Sequence, residues 1–578
     1  MSADAFRNLG IPRFALPWTT LSVFSNPGTS VRAFLTALAL LTITPAAAAQ
    51  FSEGSILYHP IASFDTLLID EDGVPQHTWP GTARPGLSVR LMPDGRLLRT
   101  RNVAMRGGGS SGAIEILDWD GVVEWSYSVD DAERLSHHDA TFLPNGNVVI
   151  VCWDKHSGAE AEALGRNPAT VNLNWWPLEL IEVEPTGPTT GTIVWNWKAL
   201  DHLVQNFNAG MPNFGAPADN PRRIDLNYAN IANSGDWQHA NAVDYNIELD
   251  QLVVSQRGFS EFWIIDHSTT TAEAATSSGG NSGHGGDLMY RWGNPAAYGR
   301  GVVADQKLFT QHDSHWIESG KPGAGNMIVF NNGNARPTGP SSSVEEIVLP
   351  AMVGGTYPIG VGVPFAPTSA LWTYEDQVNP LSFFTSAMGG VDRLQNGNTM
   401  ICLAGSGIFR EVAPDFSTVH QFQNTTPPVG SVAVFRTRSH TVHPFPTTFC
   451  PANANSVGPG TSIGWSGSIS VQRNDLVLTV ADAPPNEFGL FYYGAGTTSA
   501  PLGDGVRCIS QPFYRLLPPA QMDGFGNASI VLDMEQPPQA GSDILAGSTW
   551  YFQFWHRDDP SFGAGSNLSN GMEITFWN

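Results

Sequence analysis

Short apolar runs separated by Gly, Pro, Asn and Asp recur along almost the whole chain. Many of them alternate apolar with polar residues and are rich in Val, Ile, Thr and aromatic side chains, which is typical of β-strands. No long amphipathic helical pattern interrupts them. Three runs also share a tight Asn-Gly or Asp-Gly turn between two apolar stretches, which predicts a hairpin: LMPDGRLLRT from Leu91, FLPNGNVVIV from Phe142 and RLQNGNTMIC from Arg393. The pattern therefore predicts an all-β fold of many short strands.

A second pattern of alternating apolar residues, a turn and a closing aromatic residue occurs in six copies. The clearest are LLIDEDGVPQHTW, which ends at Trp79, and IEILDWDGVVEW, which ends at Trp125; looser copies end at Trp197, Trp292, Trp372 and Phe422. The spacings between these aromatics are 46, 72, 95, 80 and 50 residues, and the shortest match one four-stranded blade with no long insertion. Because radial repetition hides the edges of sheets, we expect a six-bladed β-propeller over residues 50–446.

The pattern changes from about Ala452 onward. Alternating strands and Gly/Pro turns, as in NDLVLTVADAPPNEFGLFYYG and STWYFQFWHRD, predict a small β-sandwich over residues 452–578. This segment has no cluster of catalytic residue types, so we expect an accessory or binding module.

The N-terminal segment has the features of a secretory signal. Arg32 precedes an apolar run from Ala33 to about Ile43, and small residues that resemble a cleavage site follow near Ala49. We therefore expect residues 1–49 to be removed on export and the protein to be secreted or periplasmic. Later apolar segments are too short to span a membrane.

The chain is acidic, with a formal net charge of −24. Residues 1–49 carry a net charge of +2 (three arginines against Asp4), so their removal would leave −26. This charge argues against binding to nucleic acid or to anionic membranes. Of the four cysteines, Cys152 and Cys402 lie in apolar runs typical of buried strands, whereas Cys450 and Cys508 are the better candidates for a disulfide.

Three histidines occupy one shared position of the repeat. The segments HHDATFLPNGN, QHANAVDYN and QHDSHWIES align at His138, His239 and His312, each at the start of a strand that leads into a turn. Equivalent positions on the innermost strands of a propeller converge on its axis, so the three imidazoles should meet. Arg257 closes the strand that follows His239, and Asn241 lies two residues after His239 on the same face. Together these groups would suit a small oxyanion such as a sulfate or phosphate ester.

Simpler interpretations compete with this one. A single histidine at a strand start is usually exposed or structurally hydrogen-bonded, and three histidines can also bind zinc. Asp139 and Asp313 are of a type that more often caps a turn. We expect structural or exposed roles for the remaining candidates, which are His137, His202, His267, His284, His315, His440 and His443.

At these residues the chain resembles the bacterial arylsulfate sulfotransferases that work without a nucleotide sulfate donor, over most of residues 50–446. The segments that carry the likeness are SHHDATFLPNGN, DWQHANAVDY, VVSQRGFSEFWIID, YRWGNP and LFTQHDSHW. The resemblance implies a six-bladed propeller, an aryl sulfate donor, a phenolic acceptor, no cofactor and no metal. It also implies that His312 accepts the sulfuryl group in a ping-pong reaction, while the matching residues surround the sulfuryl oxygens or assist the leaving phenol: His138, His239, Asn241 and Arg257.

The chain departs from the family in two respects. Known members carry an N-terminal β domain that supports dimerisation, which is not evident here. They also use a threonine from a late blade, for which FFTSAMGG offers only Thr385 and Ser386. Two alternatives remain open: a non-catalytic secreted propeller that binds a partner, and a hydrolase that holds a metal with the three histidines. The donor, the acceptor and the oligomeric state are not predicted.

Overall fold

The computed structural model describes residues 54–576 apart from short gaps at 71, 93–94, 105–107, 232–234, 377, 379, 441–445, 467–468, 470, 472–473 and 475. The predicted signal region, residues 1–49, lies outside the described residues, as does His443. Where the chain is described, strands dominate and helices are short. The prediction of an all-β fold is confirmed.

The strands up to residue 225 form two complete four-stranded sheets, three strands of another, and short two-stranded pairs. In chain order they are β1 (Ser55–Pro60), β2 (Thr66–Ile69), β3 (Pro75–Trp79), β4 (Pro85–Leu91), β5 (Leu97–Asn102), β6 (Gly112–Leu117), β7 (Val123–Ser128), β8 (Arg134–Phe142), β9 (Val148–Asp154), β10 (His156–Ser157), β11 (Asn174–Trp175), β12 (Leu178–Gly187), β13 (Thr190–Lys198), β14 (Leu203–Val204) and β15 (Ile224–Asp225). Strands β4–β7 form one sheet, and β8, β9, β12 and β13 form the next.

Three more four-stranded sheets follow, and one strand returns to the start of the chain. These strands are β16 (Ala240–Asn246), β17 (Gln251–Gln256), β18 (Glu261–Asp266), β19 (Tyr290–Trp292), β20 (His312–Trp316), β21 (Met327–Asn331), β22 (Ser343–Ile347), β23 (Trp372–Tyr374), β24 (Gly390–Arg393), β25 (Thr399–Leu403), β26 (Ile408–Val412), β27 (Thr418–Gln423) and β28 (Val434–His440). Strand β28 pairs antiparallel with β1 and completes a sheet in the order β28-β1-β2-β3. The described chain thus contains six four-stranded antiparallel sheets.

The first strands of the six sheets form a ring. In order, β28, β4, β8, β16, β20 and β24 each contact the next, and β24 contacts β28 again. Because β28 comes from the far end of this region and pairs with β1, the two ends of the ring are joined by hydrogen bonds of one sheet. Residues on these first strands therefore approach one another although they lie far apart in sequence.

The repeated sequence patterns correspond to defined places in the sheets. The three predicted hairpins close with the pairs Leu91–Leu97, Phe142–Val148 and Arg393–Thr399. The six repeated aromatics all lie in the fourth strand of their sheet, in β3, β7, β13, β19, β23 and β27. Several of them are buried, with Trp79 fully inaccessible, so they pack between sheets as core residues.

The C-terminal strands form separate sheets with their own core. They are β29 (Thr447–Phe449), β30 (Ser462–Ser466), β31 (Val477–Ala481), β32 (Phe488–Gly494), β33 (Thr497–Leu502), β34 (Gly505–Ile509), β35 (Phe513–Arg515), β36 (Ala520–Gln521), β37 (Ala528–Val531), β38 (Thr549–Arg557), β39 (Ser566–Leu568) and β40 (Gly571–Thr575). Side chains from β30 and β31 share one hydrophobic cluster with side chains from β32, β38 and β40, which belong to another sheet. Cys450 and Cys508 form a disulfide with their Cα atoms 6.4 Å apart, as expected, whereas Cys152 and Cys402 are buried thiols.

Helices play a small part. The α-helices are α1 (Gly158–Ala163), α2 (Thr271–Ala274) and α3 (Pro380–Phe383), and single 3₁₀ turns occur at Pro168–Thr170, Ala199–His202, Pro217–Asp219, Pro295–Tyr298 and Val303–Asp305. Among the described residues, none of the helices has the length and apolar character needed to cross a membrane.

Candidate active site

Three neighbouring first strands hold the predicted histidines. His138 lies in β8, His239 immediately precedes β16, and His312 begins β20. The register with the second strand shifts near each of them, and His138 and His239 have positive φ angles of 55° and 51°. In β20 the residue with positive φ is Asp313, one position after the histidine. Such irregular backbone re-aims side chains, and in L-residues it is found mostly where the surrounding structure imposes it.

The three imidazoles belong to one cluster around Phe435. The rings of His138 and His239 meet edge to face with centroids 4.7 Å apart. The Phe435 ring from β28 lies 5.9 Å from His138 and 6.2 Å from His312. No sequence pattern marks Phe435, because only the return of β28 to the ring brings it to this place.

The His312 imidazole is held in one protonation pattern. Its Nδ1 atom lies 2.7 Å from Oδ1 of Asn332, while the Asn332 amide nitrogen donates to the carbonyls of Thr385 (2.8 Å) and Met388 (2.7 Å). Since those carbonyls fix the amide orientation, Oδ1 faces the ring and Nδ1 must carry the proton. The lone pair is then on Nε2, which accepts a long hydrogen bond of 3.2 Å from the backbone N–H of Met388.

The segment that contains Thr385 and Ser386 lies against Asn332 and bonds to its side-chain amide. Thr385 is buried, and its hydroxyl donates to the carbonyl of Ala387 at 3.1 Å. The carbonyl of Ser386 accepts from Asn334. The structure thus brings Thr385 near His312 through Asn332, an asparagine that no motif in the sequence marks.

His239 has a carboxylate partner. Its Nδ1 atom forms a very short contact with Oδ2 of Asp236, and its backbone N–H donates to Oδ1 of the same residue at 3.2 Å. The indole N–H of Trp153 also donates to this Oδ1 at 3.0 Å. Burial would raise the pKa of Asp236, but the hydrogen bond and the charge of His239 hold it below its usual value. The only sequence signal for this pair was an aspartate three residues before the histidine in DWQH.

Arg257 supplies a positive charge next to the histidines, where the charge of Asp236 acts on it from a distance. Its guanidinium group is half-buried, and within the described part of the chain no hydrogen bond or ion pair engages it. Its backbone N–H donates to the carbonyl of His239 at 3.3 Å, which ties it to the cluster. A half-buried arginine that no carboxylate binds directly within the described residues is suited to bind an anion that enters from outside.

Asn241 and His137 complete the surroundings of the cluster. The Asn241 amide is fully buried and donates to the carbonyl of Gln311, the residue before His312, while its Oδ1 has no partner among the described residues. His137 is buried against Trp153, with ring centroids 4.1 Å apart, and its Nδ1 lies 2.9 Å from Nδ1 of His138. We expected a structural or exposed role for His137; the structure places it in direct contact with a candidate site residue.

Burial keeps two of the histidines neutral. It lowers the pKa of His312 to about 3, together with the positive charges of Arg257 and His239, although the Asn332 hydrogen bond opposes the change. The pKa of His138 lies well below its usual value because of burial and the nearby positive groups. At neutral pH the His312 ring is therefore an uncharged imidazole with its lone pair on Nε2.

A buried ionic network lies next to the cluster. Asp139 and Asp313 directly follow two of the histidines, and Arg436 bridges them with distances of 2.8 Å and 3.2 Å. Arg438 binds both oxygens of Asp313, and Arg90 binds Asp139. Burial alone would raise the pKa of both carboxyl groups, but the arginines hold both well below their usual value. From the sequence we expected these aspartates to cap turns, and this expectation was wrong. They bind buried arginines instead and anchor the ring of strands.

The histidines do not form a metal-ligand group within the described residues, where no three His, Cys, Asp or Glu side chains lie close enough to hold a metal ion. The Nδ1 atoms of His239 and His312 already have protein partners. What the cluster offers is a neutral nucleophilic nitrogen, a cation and an imidazole paired with a carboxylate.

An all-β ring of sheets with such a centre has the groups needed to bind a small anion and to attack it with a nitrogen nucleophile. The family comparison makes the assignment more specific. The arylsulfotransferase (ASST) family model matches residues 69–441, and the chain belongs to this family. The match extends from β2 to β28 and includes all five predicted site residues. At the level of the family, the protein is an aryl sulfotransferase with small-molecule aryl donors and acceptors.

More distant likenesses are weak. A protein of unknown function from Bacteroides caccae is 12% identical, with a TM-score of 0.36 over 67% of this chain and 98% of that one. Virginiamycin B lyase from Staphylococcus aureus is 9% identical, with a TM-score of 0.31 over 64% of this chain and 82% of that one. No curated protein matches the chain. Similarities at this level support no conclusion about this protein.

Proposed function

We propose that this protein moves a sulfuryl group from a phenolic sulfate ester to a phenolic acceptor in a ping-pong reaction, with a sulfohistidine intermediate on His312. The catalytic unit is a six-bladed β-propeller over residues 50–446, and residues 452–578 form an accessory β-sandwich. Six four-stranded sheets with a ring of first strands support the blade count. The separate hydrophobic cluster of the C-terminal sheets supports the second domain.

The observation that carries the proposal is the protonation pattern of His312. Asn332 holds the proton on Nδ1, so Nε2 carries the lone pair and burial keeps the ring neutral. A neutral imidazole nitrogen is a competent nucleophile near neutral pH. On sulfurylation the ring becomes positive, and Oδ1 of Asn332, which already accepts the Nδ1–H hydrogen bond, stabilises that charge.

The first step forms the N–S bond. The Nε2 lone pair of His312 displaces the Met388 N–H and attacks sulfur, the S–O bond to the aryl group breaks, and the phenolate oxygen leaves with a proton from a neighbouring histidine. Sulfuryl transfer, like phosphoryl transfer, develops charge on the equatorial and leaving oxygens. Arg257, whose backbone bonds to His239, supplies a positive charge that stabilises it.

The second step reverses the first with another phenol. The acceptor gives its proton back to the same histidine, its oxygen attacks sulfur, and the N–S bond breaks to regenerate His312. All atoms balance without an oxidant, a nucleotide or a metal. The product is a new aryl sulfate.

We also propose that the protein works outside the cytoplasm. The predicted signal in residues 1–49 supports export, and the Cys450–Cys508 disulfide fits an oxidising compartment. Detection of the chain in a periplasmic or culture fraction, cleaved near Ala49, would agree with this. Recovery of the intact chain from the cytoplasm with a reduced Cys450 would contradict it.

The test of the proposed reaction is mass spectrometry of the protein after brief mixing with 4-nitrophenyl sulfate in the absence of an acceptor. We expect a sulfuryl adduct on the peptide that contains His312, released on addition of a phenol. The variant His312→Asn should form no adduct. His315→Asn is the matched control: this buried histidine is three residues away, bonds to the Asp313 carbonyl and should leave the adduct intact.

Two results would contradict the proposal. An adduct on another residue would assign the nucleophile elsewhere. The absence of both adduct and released nitrophenol, across several aryl sulfates and with the fold shown intact, would favour a propeller that only binds its partner.

A further inference from the structure

The cluster contains two imidazoles that could exchange a proton with the phenolic oxygen, and their surroundings differ. His138 is almost fully buried, and its Nδ1 atom lies 2.9 Å from Nδ1 of His137, within hydrogen-bond distance. His239 keeps 21% of its side chain exposed, and its Nδ1 atom is bound by Asp236. A proton shuttle needs both access to the substrate and a group that stabilises the charged ring.

Asp236 is held rigidly by three donors. Its Oδ2 receives the Nδ1–H of His239, and its Oδ1 receives the indole N–H of Trp153 and the backbone N–H of His239. The positive φ of His239 (51°) bends the chain so that the ring returns to the residue three positions earlier. Unusual backbone at this position costs free energy and is retained where the surrounding contacts require it.

We infer that Asp236 and His239 form the acid–base pair of the transfer, with His239 as the proton donor and acceptor and Asp236 as its positioning residue. This inference rests on the proposed function. In the first step His239 carries protons on both nitrogens and gives the one on Nε2 to the leaving phenolate oxygen. In the second step neutral His239 takes the acceptor's proton on Nε2, while Nδ1–H stays bonded to Asp236 throughout.

Replacing Asp236 with Asn gives a specific expectation. The two N–H donors at Oδ1 would keep the single carbonyl oxygen of an asparagine at their position, so its NH₂ group would face Nδ1 of His239. The ring would then place its proton on Nε2 and lose the carboxylate that stabilises its charged form. The wrong tautomer of His239 and the loss of the negative charge at position 236 should remove acid–base catalysis but leave the nucleophile His312 intact.

The experiment measures phenol release in a single turnover without acceptor, with two donors of different leaving-group quality. For Asp236→Asn we expect phenyl sulfate, a poor leaving group, to react about 10²-fold more slowly than with the unmodified protein. With 4-nitrophenyl sulfate, whose phenolate needs little protonation, the loss should stay below about 10-fold. The conservative variant Asp236→Glu should restore part of the rate with phenyl sulfate.

Controls separate this role from a loss of structure. Asp287→Asn removes a carboxylate from a comparable buried contact, to His202 at 2.9 Å, and should change neither rate. Trp153→Phe keeps an aromatic side chain but removes one of the three donors on Asp236, so it should reproduce the leaving-group selectivity to a lesser degree. It also serves if the asparagine variant does not fold.

An equal loss with both donors, or none with either, would overturn the assignment of Asp236. The proposed function would survive that result if the sulfuryl adduct on His312 still forms with 4-nitrophenyl sulfate. If the unmodified protein forms no adduct, the proposed function itself fails and the acid–base pair fails with it.

Discussion

The Nδ1 atom of His312 lies 2.7 Å from Oδ1 of Asn332, and the Asn332 amide is in turn fixed by two backbone carbonyls. This chain of contacts decides which ring nitrogen is nucleophilic. The contacts join β20 to the loop after β21 and to the segment before β24. Three separate parts of the chain are therefore needed to keep the lone pair of His312 on Nε2.

Removal of Asn332 should therefore slow sulfurylation of His312. In Asn332→Ala the ring can rotate and place its proton on Nε2, and we expect the single-turnover rate with 4-nitrophenyl sulfate to fall about 10²-fold. Asn331→Ala is the matched control, because Asn331 is also buried but bonds to Phe309 and Lys307. Equal rates for the two variants would show that Asn332 does not set the tautomer.

Arg257 should act through the shape of its guanidinium group as well as its charge. In Arg257→Lys the charge remains but the planar fork that matches sulfuryl oxygens is lost, so we expect kcat/KM to fall about 10- to 10³-fold and inhibition by inorganic sulfate to weaken. Arg300→Lys alters an arginine that bonds to the backbone carbonyls of Ala218 and Gly360 and should have no such effect. A fully active lysine variant would mean that only charge matters at this position.

The local parts of this architecture were predictable from sequence, because hairpin turns and the repeated aromatics depend on neighbouring residues. The shared repeat position also indicated correctly that His138 and His239 should meet, since a ring of equivalent strands brings equivalent positions together. Phe435 and Asn332 could not be found in this way. Phe435 joins the cluster only because β28 returns to β1. Asn332 is oriented toward His312 only because the segment before β24 lies against its amide group. Long-range contacts of this kind leave no periodic signal.

Chelators should not affect the reaction. The Nδ1 atoms of His239 and His312 are bound by Asp236 and Asn332, and the proposed steps use no Lewis acid. We expect equal rates of nitrophenol release from 4-nitrophenyl sulfate before and after prolonged dialysis against EDTA, with no gain on addition of Zn²⁺. Activity that disappears with EDTA and returns with Zn²⁺ would instead favour the three-histidine hydrolase.

Stability should decrease as the solution becomes acidic, before the carboxylates titrate. Burial lowers the pKa of His59, His137 and His312 to about 3 in the folded protein, against about 6.5 in the unfolded chain. Between those values the unfolded chain binds more protons, so the free energy of unfolding falls as pH falls from about 6.5 toward 3. Each such histidine contributes a slope of at most about 1.4 kcal/mol per pH unit.

Urea unfolding at pH 7.5, 6.5, 5.5 and 4.5 measures this dependence, and two variants assign it. His59→Gln removes one buried histidine outside the cluster and should make the slope shallower. His267 has a raised pKa, because its bonds to Glu182 and Asp250 outweigh the effect of burial, so its contribution is present at low pH and lost as pH rises through the folded pKa. His267→Gln should consequently enlarge the fall in stability between pH 7.5 and 6.5 and leave the slope below about pH 6.5 unchanged. If neither variant changes the pH dependence in its own interval, other groups control the acid sensitivity.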